Sequence, residues 1–119
     1  MHKQNRLHSS KSFDYVYKHG TSFKDRFLVL FVVKSKVKEP KVGFSVGKKV
    51  GGSVQRNKTK RRLKNALYGV FTRVKKGNNY VVVARSGSAE QPYALLAASL
   101  VSLFEAAGCL APAEEFPLE

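Results

Sequence analysis

Carboxylates are missing from the middle of this chain. Between Glu39 and Glu90 there is no Asp or Glu, yet residues 40–89 hold thirteen of the 22 Lys and Arg. The other nine basic residues precede residue 40, and five of the eight acids lie from Glu90 onward. A metal-dependent nuclease needs clustered carboxylates to hold its ions, and the basic part of the chain offers none. Cysteine is nearly absent as well. Cys109 stands alone, so no intrachain disulfide can form. This separates the chain from small cationic secreted toxins and favours a reducing compartment. Long apolar runs are also lacking. The longest, 27-FLVLFVV-33, falls well short of the roughly 20 residues a membrane-spanning helix requires. The N-terminal stretch has no apolar core of the kind a secretory signal carries. A cytoplasmic chain without a membrane segment is the expectation. No internal repeat or low-complexity segment is visible.

What is present is cationic charge. The 119 residues carry +14 with a pI near 10.2, and 43% of them are hydrophobic. That fits one compact domain with its own core, a single unit over 1–119 with its body at about 4–107 and a loose tail at 108–119. Evenly mixed charge would serve solubility. Charge segregated this far describes a binding surface for a polyanion, so nucleic acid is the expected partner.

Periodicity supplies the elements. Residues 9–19 read as a helix, capped by Ser9 or Ser10, with Phe13, Val16 and Tyr17 on one face and Gly20 as its stop. Residues 26–35 read as a strand apolar on both faces, so that each face is covered or one lines a groove. After a turn at 36–41 comes a strand over 41–49, with Val42, Phe44 and Val46 on one side and Gly43, Ser45 and Gly47 on the other. The two strands are expected to form an antiparallel hairpin. Gly51 and Gly52 end that strand, and Ser53 can cap a helix reaching to about Val74 or Lys76. A short buried strand follows over 80–86. Strand, helix and strand in this order make a crossover between parallel neighbours. A final helix spans about 92–107, with Pro92 in its first position. The sum is an α+β two-layer sandwich: a small mixed sheet with about three helices.

The helix from Ser53 poses the sharpest question. Leu63, Ala66, Leu67, Val70, Phe71 and Val74 make one stripe at helical spacing. Arg56 lies seven residues before Leu63 and therefore on the same line. Arg56, Asn57, Lys60, Arg61 and Lys64 form a continuous patch, while Lys58 and Arg62 fall on the opposite, solvent flank. A charge aimed along the core-facing line is costly unless solvated or paired. With no acid nearby in sequence, the first turns must leave the core and face a wet groove. The partial positive charge of a helix N-terminus adds to an anion-binding character there. A nuclear localisation signal in KTKRRLK fits less well, because such signals sit in extended segments.

The run 42-VGFSVGKKVGGSVQRNKTKRRLKNALY-68 resembles the protein subunit of bacterial ribonuclease P. That family carries a G-x-S-V-x-K-K-x-G strand end followed by an R-N-R-x-K-R-x-x-R helix. Its first helix resembles RLHSSKSFDYVYKHGTSF here, and its last strand resembles 80-YVVVAR-85. Lys58 and Lys64 stand where the pattern has arginine, which keeps the charge but gives up the bidentate fork. The resemblance implies a role beside a catalytic RNA. That RNA, with bound Mg²⁺, removes the 5′ leader from precursor tRNA, so the chain itself supplies no catalytic residue and no metal or cofactor site. It implies that Arg56, Asn57, Lys58, Lys60, Arg61 and Lys64, with Lys48 and Lys49 at the strand end, bind the ribonuclease P RNA. It implies a cleft lined by Phe13, Tyr17 and Phe31 for the single-stranded leader. It also implies a left-handed crossover between 41–49 and 80–86, a monomeric protein, no membrane association and a cytoplasmic setting.

The residues themselves agree with that division, since single strands are held by aromatic platforms within cationic grooves. Each aromatic also has a plainer role in core packing, and the small face of Gly43, Ser45 and Gly47 would equally suit tight packing under a helix. A metal-free ribonuclease would need paired histidines. His2, His8 and His19 are instead scattered, and His19 sits at a helix stop, where a cation suits the dipole. Asp14 and Asp25 read as surface or turn residues, and Cys109 has no basic neighbour to activate it. The competing readings are a structural RNA-binding protein of ribosomal type, with no part in tRNA processing, and a membrane-active cation.

Overall fold

The computed structural model describes residues 5–36 and 38–112. Four strands, β1 (Thr21–Lys24), β2 (Leu28–Lys34), β3 (Lys41–Val46) and β4 (Asn78–Ala84), form one sheet in the order β1-β2-β4-β3. The helices are α1 (Ser10–His19), α2 (Ser53–Tyr68) and α3 (Tyr93–Ala106). No helix among the described residues is long and apolar enough to cross a membrane.

β4 is the centre of the sheet because it is apolar on both sides. Tyr80, Val82 and Ala84 join the main core, and Val81 joins a second cluster on the opposite face. It pairs antiparallel with β2 and parallel with β3. The crossover through α2 is therefore as expected, but the hairpin between the second and third strands does not exist. β2 is instead the partner of β1, a short strand that pattern reading passed over. Asp25 closes this turn: its Oδ1 accepts from the Phe27 and Leu28 N–H groups at 2.9 Å each. Its other carboxylate oxygen accepts from the Ser99 hydroxyl, which ties the turn to α3.

Alternation along the strands sorts the helices. α2 and α3 cover the face of Leu28, Leu30, Val42, Phe44, Tyr80 and Val82 and enclose the larger core. α1 lies alone on the other face, where Val16, Phe13, Phe31, Val33 and Val83 pack around Val81. One helix cannot cover a four-stranded face, so part of that face stays open, as the two-sided apolarity of 26–35 had suggested. Ser9 caps α1 by accepting from the Ser12 N–H at 3.1 Å. Gly20 ends it because of crowding: a Cβ there would stand 2.5 Å from the Val16 carbonyl oxygen and 2.9 Å from that of Val32.

Two further boundaries differ from expectation. α2 stops at Tyr68 with Gly69 as its C-cap, and the apolar stripe continues through a 3₁₀ turn over Phe71–Arg73. α3 begins at Tyr93, with Pro92 just outside as its N-cap. Beyond Gly108 the chain is still held. Cys109 and Leu110 are buried, Leu110 bridges Val74, and Arg73 donates to the Ala111 carbonyl at 2.8 Å. The remainder of the expected loose tail, 113–119, lies outside the described residues.

Tyr80 is buried at the centre of the core, with its ring 5.1 Å from that of Phe104. Its hydroxyl donates to the Lys75 carbonyl at 2.7 Å. Burial pushes its pKa well above the usual phenol range, against the smaller opposing effect of the Asn78 hydrogen bond. Folding thus favours the neutral phenol. The stability this confers is complete below the unfolded pKa of about 10 and is lost as the pH rises toward the folded value. Tyr80→Phe is expected to cost about 1 kcal/mol at neutral pH through the lost hydrogen bond. Thermal melts of both proteins from pH 7 to 11 are expected to converge above about pH 10. A constant gap would contradict the assignment.

Candidate nucleic-acid interface

The buried stripe of α2 begins with a residue that pattern reading overlooked. Thr59 is buried, its hydroxyl donating to the Gln55 carbonyl at 2.9 Å, and Leu63, Ala66 and Leu67 continue the line. With Thr59 taking the inward position, Arg56 is turned to the margin of the core and is half-buried. Its Nε is shut away from solvent and has no hydrogen-bond partner among the described residues. Arg56 lines a cavity of about 260 Å³ with Val46, Ser53, Asn57 and Lys60. The groove inferred from the misplaced arginine is thus present at the N-terminal end of α2.

A second cavity, of about 230 Å³, continues from Lys60. It is lined by Lys60 and Lys64 of α2, Phe13 of α1, Gly43 of β3, and by Arg6 and His8. Arg6 was not singled out in the sequence, and His8 only as one of three scattered histidines. Both arrive because the N-terminal segment lies along the edge of β3: the Leu7 N–H donates to the Val42 carbonyl at 3.1 Å, and the Asn5 side chain donates to the Pro40 carbonyl at 3.1 Å. The Lys64 pKa lies below the ordinary lysine range, first because of partial burial and then because of the nearby charges of Arg6 and Lys60. Among the described residues none of the cations on this face is paired with a carboxylate. An anion arriving here would meet unneutralised charge that is already partly desolvated, where hydrogen bonds to charge are strongest.

The remaining basic residues divide. Asn57, Lys58 and Arg61 are exposed on α2. Lys48 and Lys49 are exposed as well, in the turn after β3 rather than at a strand end. Arg62, expected on the solvent flank, is half-buried and donates to the Gln91 carbonyl at 3.0 Å, so it joins α2 to the start of α3.

The three aromatic residues of the expected cleft come together on the face covered by α1. The Tyr17 ring meets Phe31 of β2 edge-on at 5.0 Å and lies 6.3 Å from Phe13. Phe13 and Phe31 are half-buried and belong to the α1 packing cluster, while Tyr17 is 37% exposed. Phe13 and Phe31 therefore pack between α1 and the sheet, and Tyr17, beside them, stays partly open to solvent. Gly43 makes room for Phe13, because a Cβ there would stand 2.4 Å from Phe13 Cζ. The small side of β3 serves helix packing at Gly43 and is open at Gly47, which has nothing within 4 Å of such a Cβ.

Phe13 touches both regions, lying against Tyr17 and lining the cavity of Lys60 and Lys64. The arrangement sets the cations of α2 beside a cluster of three aromatic rings, joined through Phe13.

Known proteins resemble this chain in sequence and in fold. The profile of the Ribonuclease P family matches residues 1–108. A ribonuclease P protein component from Symbiobacterium thermophilum is 40% identical over 111 residues, covering 92% of this chain and 96% of that one. One from Clostridium botulinum is 36% identical over 107 residues, covering 89% and 96%. Among solved structures, the Staphylococcus aureus RNase P protein superposes with a TM-score of 0.83 at 25% identity, over 89% of this chain and 97% of its own. The Thermotoga maritima RNase P protein has the same fold, with a TM-score of 0.78 at 24% identity over 85% and 96%.

Proposed function

Because the chain belongs to the ribonuclease P family, whose holoenzyme is the endoribonuclease of tRNA 5′ leader processing, we propose that its surface divides that task between two nucleic-acid sites. The ridge of Arg56, Asn57, Lys58, Lys60, Arg61 and Lys64, extended by Lys48 and Lys49, binds the phosphates of the ribonuclease P RNA. The cleft of Phe13, Tyr17 and Phe31 takes the single-stranded 5′ leader of precursor tRNA. The observation that carries this reading is the contact of Phe13 with both regions, which would let one RNA assembly occupy ridge and cleft together.

Hydrolysis belongs to the RNA and its Mg²⁺. Hard divalent ions prefer oxygen ligands such as carboxylates, and the ridge lies in an interval that has none. The chain therefore contributes no catalytic residue. It screens phosphate repulsion and holds the leader. A free chain of charge +14 repels its own copies, which supports a monomer that joins its RNA in the cytoplasm.

The leader site is tested by substrate length. Tyr17→Ala is expected to weaken binding of a precursor with a leader of several nucleotides by about 5- to 150-fold, from the roughly 1–3 kcal/mol of a stacked base. Binding of a precursor trimmed to a single leader nucleotide should be unchanged. Equal losses on both substrates would remove the leader from this cleft.

A further inference from the structure

Helix α1 carries a second aromatic pair on its other flank. Tyr15 and His19, one turn apart, have ring centroids 4.4 Å apart with a 39° tilt. Tyr15 is 55% exposed, so much of its ring is open to solvent. The pair borders a cavity of about 530 Å³, roomier than either cavity on the basic ridge. Phe23 and Val33 contribute apolar surface, and Lys34 and Asn78 stand at the end of the sheet, where they face each other across β2 and β4. Among the described residues no acid lines this cavity. Asn78 spends one amide hydrogen on the Tyr80 hydroxyl at 3.2 Å. Its carboxamide has further donor and acceptor capacity.

From this grouping we infer a second base-binding groove, separate from the cleft of Tyr17 and Phe31, that holds one nucleobase of a single-stranded RNA. The volume falls within the roughly 300–1,000 Å³ of small-ligand clefts. Tyrosine and histidine rings are platforms on which unstacked bases settle, and an amide can read a base edge. Lys34 supplies the ammonium for the adjoining phosphate, in a chain whose overall field already draws polyanions. The occupant is a strand rather than an apolar peptide because the rim combines exposed rings with a cation and an amide. The groove also lies on the same helix as the proposed leader cleft, so an RNA strand leaving one flank of α1 is brought close to the other. The inference rests on the reading that α1 faces single-stranded RNA, but it assigns residues which that reading leaves unused.

The test uses the full chain. Ring signals of Tyr15 and His19 are followed by NMR during titration with a single-stranded oligoadenylate on the order of ten nucleotides long, and separately with adenosine monophosphate. The oligonucleotide is expected to shift both rings. Tyr15→Ala is expected to weaken its binding by about 5- to 150-fold, and Lys34→Ala to reduce the salt slope by about 0.7. Tyr15 is exposed, so its loss leaves the fold intact, which the unchanged signals of the Tyr80 core report. The Tyr17→Ala protein separates the two sites. If its Tyr15 and His19 rings still shift, the second groove stands whether or not the leader cleft does. If the rings stay still with both ligands, or Tyr15→Ala binds as tightly as the parent, the groove is not a base site. Adenosine monophosphate binding as tightly as the oligonucleotide overturns the assignment to a strand.

Discussion

Replacing Arg56, Lys60 and Lys64 together with alanine is expected to weaken binding to ribonuclease P RNA by about 2,000-fold near physiological salt. The figure follows from about 1.5 kcal/mol for each charge-assisted hydrogen bond lost. The slope of log K against log salt should fall by about 2–3, at 0.7–0.9 for each phosphate contact removed. The fold should not suffer. The Arg56 Nε is buried without a partner among the described residues, and Lys64 is held beside Arg6 and Lys60 with its pKa lowered. A lysine with a lowered folded pKa opposes folding while it is charged. That cost is full at neutral pH and is relieved as the pH rises through the lowered value. Removing the cluster should therefore leave the melting temperature equal or higher. Filter binding at several salt concentrations, with a melt of the free protein, checks both halves. A large fall in melting temperature would make these residues structural.

The second large effect is expected from Gly43→Val. The added Cβ would stand 2.4 Å from Phe13 Cζ, 2.8 Å from Cε1 and 3.1 Å from the Leu7 Cβ. Relief requires Phe13 to leave its place between α1 and the sheet. Overpacking of this kind costs about 1–3 kcal/mol, which for a domain of this size is a fall of several degrees in melting temperature. Precursor with a long leader should lose affinity as it does in Tyr17→Ala, while binding of the RNA along α2 stays close to normal. Phe13→Ala in the Gly43→Val background removes the clash. The double variant should recover part of the lost stability, and the thermodynamic cycle measures the coupling. Additive losses would mean that Gly43 and Phe13 do not share space in solution.

The legibility of the fold followed the range of the forces involved. α1 and α3 were readable to within a residue or two, since their caps and apolar spacing are local. The parallel pairing of β3 with β4 followed from the length of the connection between them. The false hairpin arose from treating neighbours in sequence as neighbours in the sheet. β4 inserts between β2 and β3 because Tyr80, Val81 and Val82 all require burial, on two faces at once. That demand was visible in the run YVVVA, and the most apolar strand belongs at the centre. β1 has only four residues and one partly buried side chain, too little pattern to read.

The site was legible where chemistry contradicted local packing. An arginine on the line of Leu63, in an interval without acids, located the groove at the start of α2. The correction is that Thr59 holds the inward position and Arg56 the margin. Arg6 and His8 could not be found this way. They reach the cavity of Lys60 and Lys64 only through the docking of residues 5–7 on the edge of β3, a contact across more than thirty residues of chain.

The central claim is that this chain enables a catalytic RNA to process the tRNA 5′ end. The most direct measurement is cleavage of precursor tRNA by a bacterial ribonuclease P RNA at low Mg²⁺, with and without the protein. The cations of the ridge should substitute for part of the Mg²⁺ that screens the RNA. Correct 5′ cleavage is therefore expected to appear only when the protein is added, and to be lost again in the Arg56, Lys60 and Lys64 triple variant. Tight binding of the RNA with cleavage unchanged at every Mg²⁺ concentration would contradict the account and leave a structural RNA-binding protein in its place.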